Sequence, residues 1–200
     1  MTKLTKAEQK EKLWKAAHSL LLCYLDFYRK EDYKLTGYQS WKFIQWNIYG
    51  KVMISDQAIR RFLENPNMKK SSKQKDYGGT KHITCFTAEH IVPFKIVQQL
   101  FFDKFKQKDP KYDEFKQFFL KFNSLCYVWY EEDKKLSQKG LTSEVRNYPT
   151  LEKDIFHRYS LVDIKANPTK FEKGNQLFKE LALLRQEDRN IKDVLSSIKE

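Results

Sequence analysis

The segment Thr87-Ala88-Glu89-His90-Ile91-Val92-Pro93 places a carboxylate beside an imidazole, and Asn123 and the acidic pair Glu132-Asp133 follow later. Hydrolysis of a phosphodiester needs a base for water, a cation for the phosphate oxygens and hard oxygen ligands for that cation. The ordinary pKa of histidine lies near neutrality, so His90 can be the base. Glu89 points the opposite way on an extended chain and can bind a divalent ion. These residue types favour phosphodiester chemistry.

Glu89-His90-Ile91-Val92-Pro93 resembles the start of the HNH endonuclease motif, an Asp, Glu or His before His, commonly followed after two residues by Pro. The resemblance implies a ββα-metal fold that cuts DNA with one Mg²⁺ or Mn²⁺ ion per active site. It makes His90 the general base, Glu89 a metal ligand and Asn123 the residue that orients the base. Asp133 would be the last metal ligand, with Glu132 as the alternative.

The elements around these residues follow from hydrophobic spacing. Alternation over residues 82–87 predicts a strand that delivers Glu89 and His90 at its end, and 123–130 predicts a second strand. Helical spacing predicts two inserted helices, 94–107 and 113–121, and a short acidic helix over 131–136. The order is strand, Glu-His, inserted helices, strand, acidic helix.

Further helices are predicted on both sides of this unit. A Thr5-x-x-Glu8 capping box starts a helix over 6–30, and Ser55 or Asp56 can start another over 57–64. Residues 41–54 fit either a strand or an irregular helix. We expect a mainly helical α+β fold, a ββα-metal unit with inserted and surrounding helices. The predicted organisation is a single domain, 1–200, with an N-terminal helical part (1–65), a catalytic unit (78–137) and a C-terminal helix (171–200).

The chain is strongly basic, with 38 Lys and Arg against 26 Asp and Glu and a formal charge of +12. Such a charge is typical of proteins that bind polyphosphates, although a lysine-rich composition alone also produces it. The basic residues of one region are the candidates for contact with double-stranded DNA: Arg60, Arg61, Lys69, Lys70, Lys73 and Lys75. The alternative is a solvated lysine tract.

Cysteine content and hydropathy indicate the cellular compartment in which the protein is expected. The three cysteines cannot all pair within one chain and are expected to be reduced, buried thiols. No apolar run reaches the roughly 20 residues that a membrane span requires, and the N-terminus lacks the apolar stretch of a secretory signal. A cytoplasmic protein without a membrane partner is expected.

The sequence from Gly174 onward carries an apolar stripe at helical spacing, interrupted at Asp188: Leu177, Leu181, Leu184, Ile191, Leu195 and Ile198. This stripe either packs on the rest of the chain or pairs with its copy in a homodimer.

Taken together, the features favour a site-specific restriction endonuclease of type II. The alternatives are a homing endonuclease, a non-catalytic nucleic-acid-binding protein and a structural partner protein that uses its C-terminal helix.

Overall fold

The computed structural model describes residues 4–29, 41, 44, 45, 47, 48, 50–75, 82–141, 150 and 153–199. Its helices are α1 Lys6–Arg29, α2 Asp56–Glu64, α3 Phe94–Phe105, α4 Tyr112–Phe122, α5 Tyr130–Gln138, α6 His157–Ser160, α7 Gly174–Gln186 and α8 Ile191–Ile198. Its strands are β1 Val52–Ser55, β2 Lys73–Lys75, β3 His82–Thr84, β4 Phe86–His90, β5 Leu125–Trp129 and β6 Ala166–Pro168. The predicted mainly helical α+β class is confirmed.

The chain divides into two compact units. The first contains residues 1–50 and 94–123, and the second contains 51–93 and 124–200. The pair α3 and α4 therefore belongs to the first unit, although it lies between β4 and β5 in the sequence. All four strands of the main sheet belong to the second unit.

The first unit is built on aromatic packing. The Thr5 backbone N–H donates to the Glu8 carboxylate at 2.7 Å, and the Glu8 N–H donates to Thr5 Oγ1 at 3.3 Å, so the capping box is present at the start of α1. Helices α1, α3 and α4 belong to this unit. Their buried residues include these large apolar side chains: Trp14, Leu21, Leu25, Val97, Leu100, Phe101, Phe115, Phe118 and Phe119. Gly50 is required at its position because a Cβ there would lie 2.4 Å from the Leu120 carbonyl oxygen.

The second unit contains a four-stranded mixed sheet with the order β4-β5-β1-β6. β4 and β5 are antiparallel, and their register pairs Glu89 with Cys126 and His90 with Leu125. β5 and β1 are parallel, and β1 and β6 are antiparallel. A separate antiparallel pair joins β2 to β3. β4 is an edge strand of the main sheet, so Glu89 and His90 lie at the edge of that sheet.

The two faces of this sheet are covered by different helices. Side chains alternate along a strand, and directly paired residues share a face. One face carries Cys126 and Val128 and packs against Leu136 of α5 and Tyr159 of α6; we call it the α5 face. The other carries Phe86, whose ring lies 5.9 Å from that of Phe62 in α2 and 4.9 Å from that of Phe178 in α7; we call it the α2 face.

Several local predictions need adjustment. The expected strand over 82–87 is two strands, because the backbone bends at Cys85, and Glu89 and His90 lie within β4 rather than after it. Residues 41, 44, 45 and 47 are helical, whereas 52–55 form β1, so both alternatives for 41–54 occur in succession. The C-terminal stripe spans two helices, separated by a turn in which Asp188 has a φ of 53°.

None of the helices in the described parts of the chain is both long and apolar enough to cross a bilayer. Cys85 and Cys126 are buried free thiols, as predicted, whereas Cys23 is exposed on α1.

Candidate active site

Glu89 and Asp133 come together on the α5 face. Glu89 lies on β4 beside Cys126 of β5, and Asp133 lies in the first turn of α5, which packs over that face. The two carboxylates are close enough that the charge of Asp133 raises the pKa of Glu89. The Thr87 side chain shares this face with Glu89 and hydrogen-bonds to Asp133. The structure therefore places two of the predicted metal ligands together.

Burial disfavours the charged form of both carboxylates. Removal from water is the largest effect on Glu89 and raises its pKa, while the guanidinium of Arg158 acts in the opposite direction. Burial likewise raises the pKa of Asp133, against the hydrogen bond from Thr87 and the charge of Arg158. A divalent cation bound beside these two carboxylates would stabilise their charged forms, which burial disfavours.

Arg158 is the residue of this site that sequence reasoning missed. Its side chain is fully buried, and its Nη2 lies 3.1 Å from Glu89 Oε2. Its Nε donates to the Ile91 carbonyl at 2.7 Å, its Nη1 donates to the Leu141 carbonyl at 2.7 Å, and Nη2 also donates to the carbonyl of His90. One guanidinium thus fixes both the end of β4 and the Glu89 carboxylate. The only sequence signal was a single Arg in a segment rich in apolar and aromatic residues, Ile155 to Val162.

His90 ends β4 with its side chain on the face opposite to that of Glu89, because the two residues are adjacent in an extended strand. This matches the opposite orientation expected from the sequence. The residue is 8% exposed. Its carbonyl is held by Arg158, so the backbone that carries the imidazole is fixed from the α5 face.

Asn123, expected to orient the histidine, lies in the first unit. It is the C-terminal cap of α4 and fully buried, and its Nδ2 donates to the Ile48 carbonyl at 2.5 Å. The recorded bond of its side-chain amide therefore serves the packing of that unit. Its role towards His90 stays a prediction.

Glu132 points into the protein rather than towards Asp133. Its Oε2 accepts hydrogen bonds from the Trp129 backbone N–H at 2.8 Å and from Ser55 Oγ at 2.5 Å, and the residue is 4% exposed. Glu132 thus caps the start of α5. Between the two acids proposed for the last ligand, the geometry favours Asp133.

Two of the predicted DNA-contacting residues, Arg61 and Lys70, lie on the α2 side of the sheet. The Arg61 guanidinium lies 5.8 Å from the centre of the Trp129 ring, and Lys70 Nζ lies 5.2 Å from the centre of the Tyr127 ring. Both rings belong to the α2 face. Arg60, Lys69 and Lys73 are exposed, and Lys73 and Lys75 belong to β2, so the basic segment is partly a strand. The sheet therefore separates the placed cations from Glu89 and Asp133.

Within the described residues, no three His, Cys, Asp or Glu side chains form a metal-binding group. Two carboxylates fit the manner in which Mg²⁺ is commonly held, since this ion keeps several waters and takes one or two carboxylates together with substrate phosphates. Glu89 and Asp133 are the residues that could hold it. A hard oxygen donor set of this kind suits Mg²⁺ or Mn²⁺ rather than zinc.

No protein-family model matches the chain, and comparisons with curated proteins and with solved structures gave no match.

Proposed function

We propose that this protein is a metal-dependent nuclease that hydrolyses phosphodiester bonds in DNA, with Glu89 and Asp133 as its metal ligands. The observation that carries the proposal is the meeting of these two carboxylates on one sheet face, both with raised pKa values. The basic charge of the chain supports a polyphosphate substrate. A site-specific restriction endonuclease remains our preferred class, and a homing endonuclease is the enzymatic alternative.

Four residues have separate roles in the proposed hydrolysis: Glu89, Asp133, Arg158 and His90. When bound, a divalent ion would polarise the phosphate and lower the pKa of a bound water. Glu89 and Asp133 would hold that ion, and Arg158 orients Glu89 through the 3.1 Å contact with its Oε2. His90, the next residue of the same strand, is the general base in this proposal. Its side chain leaves β4 on the opposite face from Glu89, so the phosphate has to lie at the edge of this edge strand to meet both groups. Arg158 donates to the His90 carbonyl, so it fixes both ends of this Glu-His pair.

A non-catalytic nucleic-acid-binding protein is the second candidate. The observation in its favour is the ion pair between Glu89 and the buried Arg158, which is also the arrangement of a purely structural carboxylate. In this case Glu89 serves the packing of the second unit, and only the basic surface binds nucleic acid. The two candidates differ in their response to metal ions.

Supercoiled plasmid incubated with Mg²⁺ or Mn²⁺ tests the proposal. The purified protein should nick or cut it, and chelation should abolish the reaction. Discrete fragments indicate sequence specificity, and a smear indicates a general nuclease. Glu89→Gln and Asp133→Asn should each abolish metal-dependent cleavage, and His90→Ala should lower the rate by roughly 100- to 10,000-fold. Glu131→Gln, two positions before Asp133 on the same helix, is the matched control.

Metal binding is measured separately from cleavage. A ligand that binds only the folded state stabilises it, so Mg²⁺ should raise the melting temperature of the wild type. The increase should disappear in Glu89→Gln and Asp133→Asn but persist in His90→Ala. If wild type and all variants respond alike to Mg²⁺, the two carboxylates do not bind the ion, and the binding-protein alternative gains support.

A further inference from the structure

Three cationic side chains lie against aromatic rings of the α2 face and its covering helix. Arg61 lies over Trp129 and Lys70 over Tyr127, and the Arg185 guanidinium lies 4.5 Å from the centre of the Phe62 ring. Such contacts hold a cation in place without neutralising its charge. The α2 side of the second unit therefore presents fixed positive charges outside an apolar layer.

An open pocket of about 280 Å³ lies where the C-terminal ends of α2 and α7 meet the start of α8. Three guanidinium groups and two carboxylates line it together with two apolar side chains: Arg60, Arg185, Arg189, Glu64, Asp188, Leu63 and Ile191. The lining carries a formal charge of +1, from three arginines against two acids. Exposed Lys69 and Lys73 extend the positive charge along the following segment.

Of these three arginines, Arg185 is the one whose side chain stabilises the fold. Arg185 Nη1 donates to the carbonyls of Phe62, Asn65 and Met68 and so closes the end of α2. Arg60 is exposed and forms no ion pair with any residue that the structure describes. Among the described residues, Arg189 forms an ion pair with Glu187 alone, across 2.7 Å; both side chains are about half exposed, so this pair contributes little to stability. Two guanidinium groups thus remain available to a ligand.

This pocket lies on the opposite side of the sheet from the carboxylates of the candidate active site. Phe62 of α2 packs against Phe86 on one face, whereas Glu89 lies on the other. A helix with its side chains is about 10 Å across. A phosphate at Arg60 is therefore separated from one at Glu89 by the sheet and by α2. The same phosphate cannot reach both.

We propose that Arg60 and Arg189 form an accessory site for the phosphate backbone of nucleic acid, distinct from the site where the bond is cut. The inference rests on the proposed function only in its reference to cleavage. Cations spread over α2, the segment around Lys69 and the turn before α8 match a repeating anion better than a single phosphate. Duplex DNA carries about one charge per 1.7 Å of its axis, so one molecule supplies anions to several such residues.

Binding is tested in a Glu89→Gln background, which prevents cleavage. The double variant Arg60→Ala with Arg189→Ala should weaken binding of a labelled duplex of about three turns. Each lost phosphate contact should flatten the slope of log affinity against log salt by about 0.9, so a total change of about 2 is expected. Fluorescence anisotropy over a salt series measures it. Lys106→Ala with Lys108→Ala removes two exposed charges from the first unit and is the matched control.

Cleavage by the otherwise wild-type enzyme adds a second readout. The arginine double variant should raise KM for the three-turn duplex and leave its kcat unchanged. Cleavage of a duplex of about one turn should be affected less, because it offers fewer phosphates to the accessory site. Both arginines are on the surface, so circular dichroism melting should show an intact fold. Reversal of both charges to Glu should increase the effect on KM.

The outcomes separate the two proposals. If the protein cuts no DNA but the arginine variant binds DNA more weakly, the phosphate-binding site is supported and the nuclease proposal is overturned. A salt slope equal to that of the Glu89→Gln parent overturns the accessory site, whatever the activity. A fall in kcat on both duplexes also overturns it, because the arginines would then act at the bond that is cut.

Discussion

Asp133 carries a titratable charge that the folded state disfavours, because burial is the largest effect on its pKa and raises it. The unfolded carboxyl has a pKa of about 3.9. Below that value both states bind the proton and the group has no effect on stability. As the pH rises through the folded pKa, the folded protein must lose a proton that it binds more tightly than the unfolded chain. Wild-type stability therefore falls in this range.

Asp133→Asn should consequently raise the free energy of unfolding at pH 7 when no divalent ion is present. The gain should shrink as the pH is lowered and vanish below about pH 4. Chemical denaturation in chelator, at several pH values, measures this difference. Asp163→Asn removes one exposed negative charge and is the control. A difference that is the same at every pH would contradict the burial of Asp133.

At the residue scale, sequence and structure agree on what is local. Glu89 and Asp133 could be named as candidates because the Glu-His-x-x-Pro segment and an acid at a helix start are short patterns, and their role as metal ligands stays a prediction. Arg158 was not, since 69 positions separate it from Glu89 and no pattern around it marks a buried guanidinium. The preference for Asp133 over Glu132 needed coordinates, because neighbouring residues on a helix point about 100° apart.

Among the elements, α2 and α5 begin at a shared hydrogen-bond arrangement. Ser55 Oγ accepts from the Ala58 N–H at 3.0 Å and caps α2, and it donates to Glu132, which caps α5. Glu132→Ala leaves the Ser55 hydroxyl and the Trp129 N–H without an acceptor. The free energy of unfolding should fall by about 1–3 kcal/mol, the cost of a buried unsatisfied donor.

Glu131→Ala on the same turn is the comparison for this variant. Its recorded contact is a 3.4 Å hydrogen bond from Gln57, so the change should stay within about 0.5 kcal/mol. Urea denaturation of both variants and of Ser55→Ala, alone and combined with Glu132→Ala, measures the coupling. If the effects of Ser55→Ala and Glu132→Ala add, the two helix starts are independent.

Elements with strong internal patterns were predictable, and short ones were not. Helix α2 was expected because Ser55 precedes an amphipathic run, and the structure confirms the Ser55 cap. Strands β1 and β6 have four and three residues. Their stability comes from pairing with each other and with β5 rather than from their own composition. The break at Cys85 was hidden because its neighbours all favour strands.

For the molecule as a whole, the C-terminal stripe belongs to the core of the chain. Leu177, Leu181 and Ile198 are fully buried, and Phe178 contacts Phe62 and Phe86. Removal of residues 174–200 should therefore unfold the second unit, which near-ultraviolet circular dichroism detects. Phe178→Ala should cost about 3–5 kcal/mol, and Leu183→Ala, at a residue 48% exposed, much less.

Sedimentation of the intact and truncated chains tests the homodimer that the stripe also allowed. A dimer that becomes a folded monomer without residues 174–200 would show that α7 and α8 form an interface. The division into two interleaved units was not foreseen, since the sequence favoured one domain of 200 residues. Local patterns locate helices, but they do not show that α3 and α4 join a distant N-terminal segment.

One backbone hydrogen bond has a bearing on the order of folding. The Ile91 N–H donates to the Ser124 carbonyl at 3.0 Å, where β4 has ended and β5 is about to begin. The chain between them contains α3 and α4, whose contacts are local in sequence and form on a faster timescale than distant strand pairing. A preformed helical hairpin shortens the flexible loop that must close, which lowers the entropic cost of joining β4 to β5. We therefore expect the Glu89 strand to pair with β5 late in folding, after α3 and α4 have packed together.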